Sequence, residues 1–200
     1  EENKTLAPPF AVITGDSIAH LFVQDRLQKF LPEFQIVNRG IGGDSTLFFL
    51  RRLDSNVIAL RPKVVIISIG GNDLLGGRCL RDILEYTRTA VQNLRHNLPE
   101  TAVILTGVPP VLSWKANAIS PHYNRKLAEL ARSIPGVYFL DLWPILSDPE
   151  KQLLAEAYHN VLPGGKLDTI HFNEKGYEQW ARLLRPILQS LQKGQPPAPP

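Results

Sequence analysis

The sequence predicts an α/β fold, a three-layer α/β/α sandwich built on a five-stranded parallel sheet. Three observations predict it. Five short apolar runs rich in β-branched residues recur along the chain, each continuous rather than alternating in polarity, as strands buried on both faces require. Longer segments between them repeat their apolar residues with helical spacing. The 200 residues suffice for one domain of such alternating units, with no internal repeat and no second core.

The elements follow in order. Residues 10–14 are the first strand, and 17–31 read as one helix with Leu21, Phe22, Leu27, Phe30 and Leu31 on a wide apolar stripe. Residues 35–38 and 64–69 are the second and third strands. Leu80, Ile83, Leu84, Val91 and Leu94 mark a helix over 80–98, followed by a fourth strand at 102–108. A helix over 121–134, a fifth strand at 137–142 and a final helix over 174–191 complete the pattern. Residues 109–120 and 163–172 read as loops. Residues 1–8 are expected to be an N-terminal extension, 9–192 the domain, and 193–200 a Pro-rich tail or linker.

Composition removes several classes of function. Lys+Arg is 22 against 19 for Asp+Glu, a net charge of +3, and no run of three basic residues occurs, so no nucleic-acid partner is expected. No apolar stretch approaches the roughly 18–20 residues of a membrane span. The single cysteine, Cys79, excludes an intramolecular disulfide and a Cys-rich zinc site. The chain lacks Met and begins with a polar, Pro-containing stretch, as expected just past a cleavage site or linker. An exported protein, periplasmic or extracellular, is therefore favoured over a cytoplasmic one.

In open parallel sheets functional groups gather beyond the carboxyl ends of the strands. Gly15-Asp16-Ser17 follows the first strand, Gly42-Gly43-Asp44 the second, and Gly70-Gly71-Asn72-Asp73 the third. Ser17 opens a helix, where a serine serves either as an N-cap or as a nucleophile helped by the helix dipole and free N–H groups. Asp168 stands three residues before His171, a spacing that lets a carboxylate fix the imidazole tautomer. A solvated loop Asp beside a satisfied His is the other reading. Gly43 and Asn72 are either turn residues or donors to an oxyanion. Each is ambiguous singly; their convergence on one edge favours chemistry. None of the five histidines has helical metal-site spacing, and neither a metal nor any cofactor is expected. No GxxxxGK[ST] is present, and Ala19 breaks the GxSxG elbow.

These blocks resemble the GDSL/SGNH hydrolase superfamily. Gly15-Asp16-Ser17-Ile18 is similar to its first block, residues 38–45 to its second, Gly70-Gly71-Asn72-Asp73 to its third and residues 168–173 to its fifth, all in family order. The resemblance implies a flavodoxin-like sheet of order 2-1-3-4-5. It also implies a serine esterase or acylhydrolase acting on carboxylic esters, thioesters or lysophospholipids. Ser17 would then be the nucleophile, His171 the base and Asp168 its orienter, with Ser17, Gly43 and Asn72 forming the oxyanion hole. The implied partner is a small-molecule ester. Ile18, Asp44, Leu74 and Trp114 are the expected substrate contacts. A carbohydrate O-acetyl esterase or O-acetyltransferase is the alternative enzyme. A non-catalytic binding module is the alternative outside enzymes.

Overall fold

The computed structural model describes residues 7–197; most of the expected N-terminal extension and the last three residues of the expected tail lie outside the described residues. Five parallel strands form the sheet: β1 (Ala11–Gly15), β2 (Ile36–Gly40), β3 (Val64–Ser68), β4 (Ala102–Thr106) and β5 (Val137–Leu140). Their spatial order is β2-β1-β3-β4-β5, the expected flavodoxin-like order. Neighbours pair in parallel and in step, for example Ile13 opposite Asn38 on one side and Ile66 on the other.

The continuous apolar runs have a simple cause. Alternate side chains of each strand enter two different cores. Ala11, Ile13, Val64, Ile66 and Ile104 pack in one, and Val12, Val65, Ile67, Val103 and Leu105 in the other. The first core is covered by α1 (Ser17–His20), α2 (Gln24–Phe30) and α8 (Glu174–Gln192), through Phe22, Leu27, Tyr177, Trp180 and Leu184. The second is covered by α3 (Thr46–Asn56), α5 (Leu80–Asn97) and α6 (Trp114–Ser133), through Phe49, Leu53, Ile83, Val91, Tyr123 and Leu127. Two short helices, α4 (Gly71–Leu75) and α7 (Trp143–Leu146), follow β3 and β5. Among the described residues no helix is long and apolar enough to cross a membrane.

Four local features differ from the pattern reading. The helix expected over 17–31 splits into α1 and α2, because side chains take the carbonyls that would continue it. Asn38 Nδ2 donates to Ala19 O at 2.7 Å and Phe22 O at 2.9 Å, and Arg26 donates to Leu21 O at 2.7 Å. Helix α6 begins at Trp114, ahead of Pro121, within the stretch that read as a loop. There the Asn117 amide bonds both N–H and C=O of Val111, and its first turns are held against the end of β4. Helix α3 carries no strong apolar stripe. It is started by Ser45 as N-cap and by Asp73, which accepts the Thr46 N–H at 2.8 Å. The stretch 163–172 read as a loop contains most of a hairpin, β6 (His159–Val161) with β7 (Leu167–Phe172), whose turn uses Gly164 and Gly165 at positive φ.

Gly15 ends β1 with φ of +134°, and a Cβ there would overlap the Ser68 carbonyl of β3. Its absence lets β1 and β3 close together where the first and third loops leave the sheet. Gly15→Ala is expected to lose about 3 kcal/mol or more, read as a lowered urea midpoint at unchanged slope. An unshifted midpoint would contradict this close approach.

Candidate active site

Sheet order reverses direction between β1 and β3, the place where open α/β sheets leave a crevice. Ser17 follows β1 as the first residue of α1. Asp16 caps that helix, accepting the Ile18 N–H at 3.0 Å. The turn is held from behind by α8: Tyr177 donates its hydroxyl to Ile18 O at 3.1 Å. Tyr177 is itself seated among Phe22 and Phe172, with ring centroids at 5.2 and 4.4 Å.

His171 reaches the same point from β7. Its Nε2 lies 2.8 Å from Ser17 Oγ, and its Nδ1 lies 2.9 Å from Asp168 Oδ2. The other Asp168 oxygen accepts the backbone N–H of Ile170 at 2.9 Å and of His171 at 3.0 Å. Asn160 of β6 donates to Oδ2 at 3.3 Å. Partial burial pushes the Asp168 carboxyl up. The N–H donors of His171 and Ile170 and the imidazole outweigh that and hold it at about 2. An ionised Asp168 accepts from Nδ1–H, which leaves the Nε2 lone pair facing the Ser17 hydroxyl.

The backbone N–H groups of Ser17 and Gly43 have no acceptor among the described residues. Gly43 lies in the turn after β2 with φ of +77°. Asn72, in α4, donates Nδ2 to Asp44 O at 2.9 Å, which ties it to the residue after Gly43 and leaves its second amide hydrogen over. Arg52 fastens the same turn, pairing with Asp44 at 2.7 Å and donating to Arg39 O and Gly15 O, each at 3.0 Å. Burial pushes the Asp44 carboxyl up in spite of that guanidinium.

A small pocket of about 30 Å³, open to solvent, lies beside Ser17. Ile18, Asn72, Leu75, Val108, Val111, Ala116, Ser120 and Ile170 are among its lining residues. Of the four expected substrate contacts, Ile18 lines it. Leu74 is buried in the second core, and its neighbour Leu75 occupies the wall instead. Asp44 is buried in its ion pair with Arg52, and Trp114, 72% exposed at the start of α6, is not among the lining residues. Ala116 and Ser120 were not singled out by sequence. Their i, i+4 spacing on a helix is a signal, but only once α6 is known to begin before Pro121. Among the described residues no group of three or more His, Cys, Asp or Glu is arranged to hold a metal ion.

Residues 13–179 match the model of the GDSL-like lipase/acylhydrolase family. The chain is 27% identical over 189 residues to the platelet-activating factor acetylhydrolase IB subunit alpha1 of Bos taurus, covering 92% of this chain and 76% of that protein. It shares its fold with a GDSL-like lipase from Bacteroides thetaiotaomicron, at TM-score 0.76 and 23% identity, covering 96% of this chain and 95% of the other. It also shares it with an acetylxylan esterase from Geobacillus stearothermophilus, at TM-score 0.69 and 20% identity, covering 94% and 96%. A match that runs from β1 to α8 takes in every segment that meets at Ser17, and the chain belongs to the GDSL-like lipase/acylhydrolase family of carboxylic ester hydrolases.

Proposed function

We propose that the protein is a serine esterase for short acyl esters, working through a Ser17–His171–Asp168 triad. The observation that carries this reading is the chain of contacts from Ser17 Oγ to Nε2 and from Nδ1 to Asp168, 2.8 and 2.9 Å, at the edge of an apolar pocket. Ser17 Oγ attacks the acyl carbon and its proton passes to His171 Nε2. The carbonyl oxygen becomes an oxyanion held by the N–H groups of Ser17 and Gly43 and the free hydrogen of the Asn72 amide. As the oxyanion collapses, the C–O bond to the alcohol breaks and Nε2 returns the proton to the leaving oxygen. Water then attacks the acyl-Ser17 by the same route, releasing a carboxylic acid and restoring the hydroxyl. Asp168 stays ionised throughout and stabilises the imidazolium.

Pocket size and lining favour a small acyl group. Ala116 and Ser120 form part of its wall, and two similar proteins are an acetylhydrolase and an acetylxylan esterase. The alcohol side opens toward solvent past Leu75, which is 43% exposed. Acetylated carbohydrate is the second reading, supported by the acetylxylan esterase likeness. Release of acetate from acetylated xylan, faster than from p-nitrophenyl acetate, would select it.

A fluorophosphonate is expected to add once to the wild type, at Ser17, and not to Ser17→Ala, read by intact mass. The same substitution is expected to lower p-nitrophenyl acetate hydrolysis by about 10³-fold or more. Equal rates would remove Ser17 from the mechanism. Asp168→Asn is expected to lower kcat by about 10⁴-fold. Because the folded carboxyl lies below its unfolded value, its stabilisation is present above about pH 4 and lost as pH falls toward 2. The urea-derived stability gap between wild type and Asp168→Asn, up to about 2 kcal/mol at neutral pH, should therefore close in acid. Ala116→Leu should narrow the pocket and raise the preference for acetate over octanoate esters by about tenfold or more. An unchanged chain-length profile would place the acyl group elsewhere.

A further inference from the structure

Asp16 adjoins Ser17, yet its side chain turns inward and is 4% exposed. One carboxylate serves two loops. Its Oδ1 accepts the Ile18 N–H in the Ser17 turn at 3.0 Å, and its Oδ2 faces Gly71, next to Asn72. The fit at Gly71 is close, since a Cβ there would stand 3.5 Å from Asp16 Oδ2. Asp16 thus spans the nucleophile turn and the turn carrying the oxyanion amide.

Its electrostatic surroundings set it apart from the nearby acids. Asp44 has the Arg52 guanidinium at 2.7 Å, and Asp73 has Arg78 at 2.9 Å together with the Thr46 hydroxyl and N–H. Asp16 has no ion-pair partner among the described residues. The titratable groups that bear on it are Asp44 from the turn after β2, Asp73 from α4, Tyr123 from α6 and Tyr177 from α8. Asp168 on β7 lies near enough to act on Tyr177 as Asp16 does. Arg52 reaches the Gly15 carbonyl, but its ion pair is with Asp44.

We propose that Asp16 is a positioning residue for the reaction: its buried, ionised carboxylate holds the Ser17 turn against the Asn72 turn, and protonation loosens that hold and slows turnover. This rests on the serine esterase reading above. The chemistry is simple. An ionised carboxylate offers both oxygens to N–H donors, whereas the protonated acid keeps a hydrogen on one of them and turns a donor toward its surroundings. Burial pushes the carboxyl up, the Ile18 N–H opposes it, the Asp44 charge adds to the rise, and the Gly71 N–H and Asp73 follow in opposite senses. The balance stands at about 7, so the change of state falls within the working range of an esterase. Turnover then needs Asp16 ionised as well as a free Nε2 lone pair on His171.

The test is the pH dependence of p-nitrophenyl acetate hydrolysis in the full chain, with fluorophosphonate labelling of Ser17 alongside. The wild-type acid limb is expected to steepen toward two protons. Asp16→Asn keeps the shape but turns a donor toward one N–H. It should lower kcat by about tenfold to a hundredfold with KM changed less than about threefold, and leave a one-proton limb. Asp16→Ser, whose hydroxyl caps Ile18 without reaching Gly71, should behave alike and serves if the Asn variant fails to fold. A one-proton limb in the wild type, or wild-type kcat and slope in either variant, overturns the proposal. A wild type that neither turns over nor labels overturns the esterase reading and this one with it. Normal labelling with unchanged variants overturns this one alone. Denaturation gives a readout independent of activity. Folded Asp16 holds a proton that the unfolded chain releases, so its contribution to wild-type stability is largest in acid and is lost as pH rises from about 4 through about 7. Both variants should lack that component, and its presence in them would remove Asp16 as its source.

Discussion

The contact between Ser17 Oγ and His171 Nε2 joins residues 154 positions apart in the chain, and most of the structure around it serves to fix one atom or the other. Ser17 is placed by β1, by the absence of a side chain at Gly15 and by Tyr177 pressing on the back of α1. His171 is placed by the hairpin of β6 and β7 and by four donors on Asp168, the two backbone N–H groups, the Asn160 amide and the ring itself. Helix α8 joins the two halves. It follows directly after β7, so the chain that carries His171 also delivers the aromatic cluster that seats α1. Hydroxyl and imidazole are set by packing in the same core, and a change in that core reaches both.

Four carboxylates surround this site, and their environments differ in kind. Asp168 is surrounded by donors and stays charged in moderate acid. Asp44 and Asp73 are buried against guanidinium groups, and each uses its remaining oxygen or backbone to hold a loop. Asp16 is buried on the Ile18 N–H, with no ion-pair partner among the described residues. A buried charge is tolerated when hydrogen bonds or a counter-charge replace the water it loses, and the degree of replacement sets where each group titrates. The same residue type therefore supplies one carboxyl held low by donors, two structural ion pairs and one carboxyl pushed up by burial, within a single sheet edge.

Much of the site was legible because its parts sit in short blocks with distinctive residues. Gly15-Asp16-Ser17, Gly43, Asn72 and the Asp168/His171 pair could each be found by spacing and by their place after a strand. The walls were less legible. Leu74 and Leu75 are adjacent and alike, and a one-residue difference on a short helix decides which is core and which is wall. Ala116 and Ser120 carry no chemical mark of their own; they matter because small residues at that place leave space. Arg52 appears in the sequence as one of a basic pair on a weakly apolar helix, with nothing to announce its bonds to three separate strand ends and turns.

Local patterning by itself determined the alternation of strands and helices, the two-faced burial of the sheet and the residue types available for acyl chemistry. Those properties depend on side-chain period and on what each residue can donate or accept, both of which are local. Tertiary structure alone decided that the helix over 17–31 breaks where Asn38 captures its carbonyls, that 159–172 folds as a hairpin, and that Asp16 has no ion-pair partner among the described residues. Each of these outcomes turns on a partner far away in the chain, and no run of neighbouring residues records which distant group will arrive.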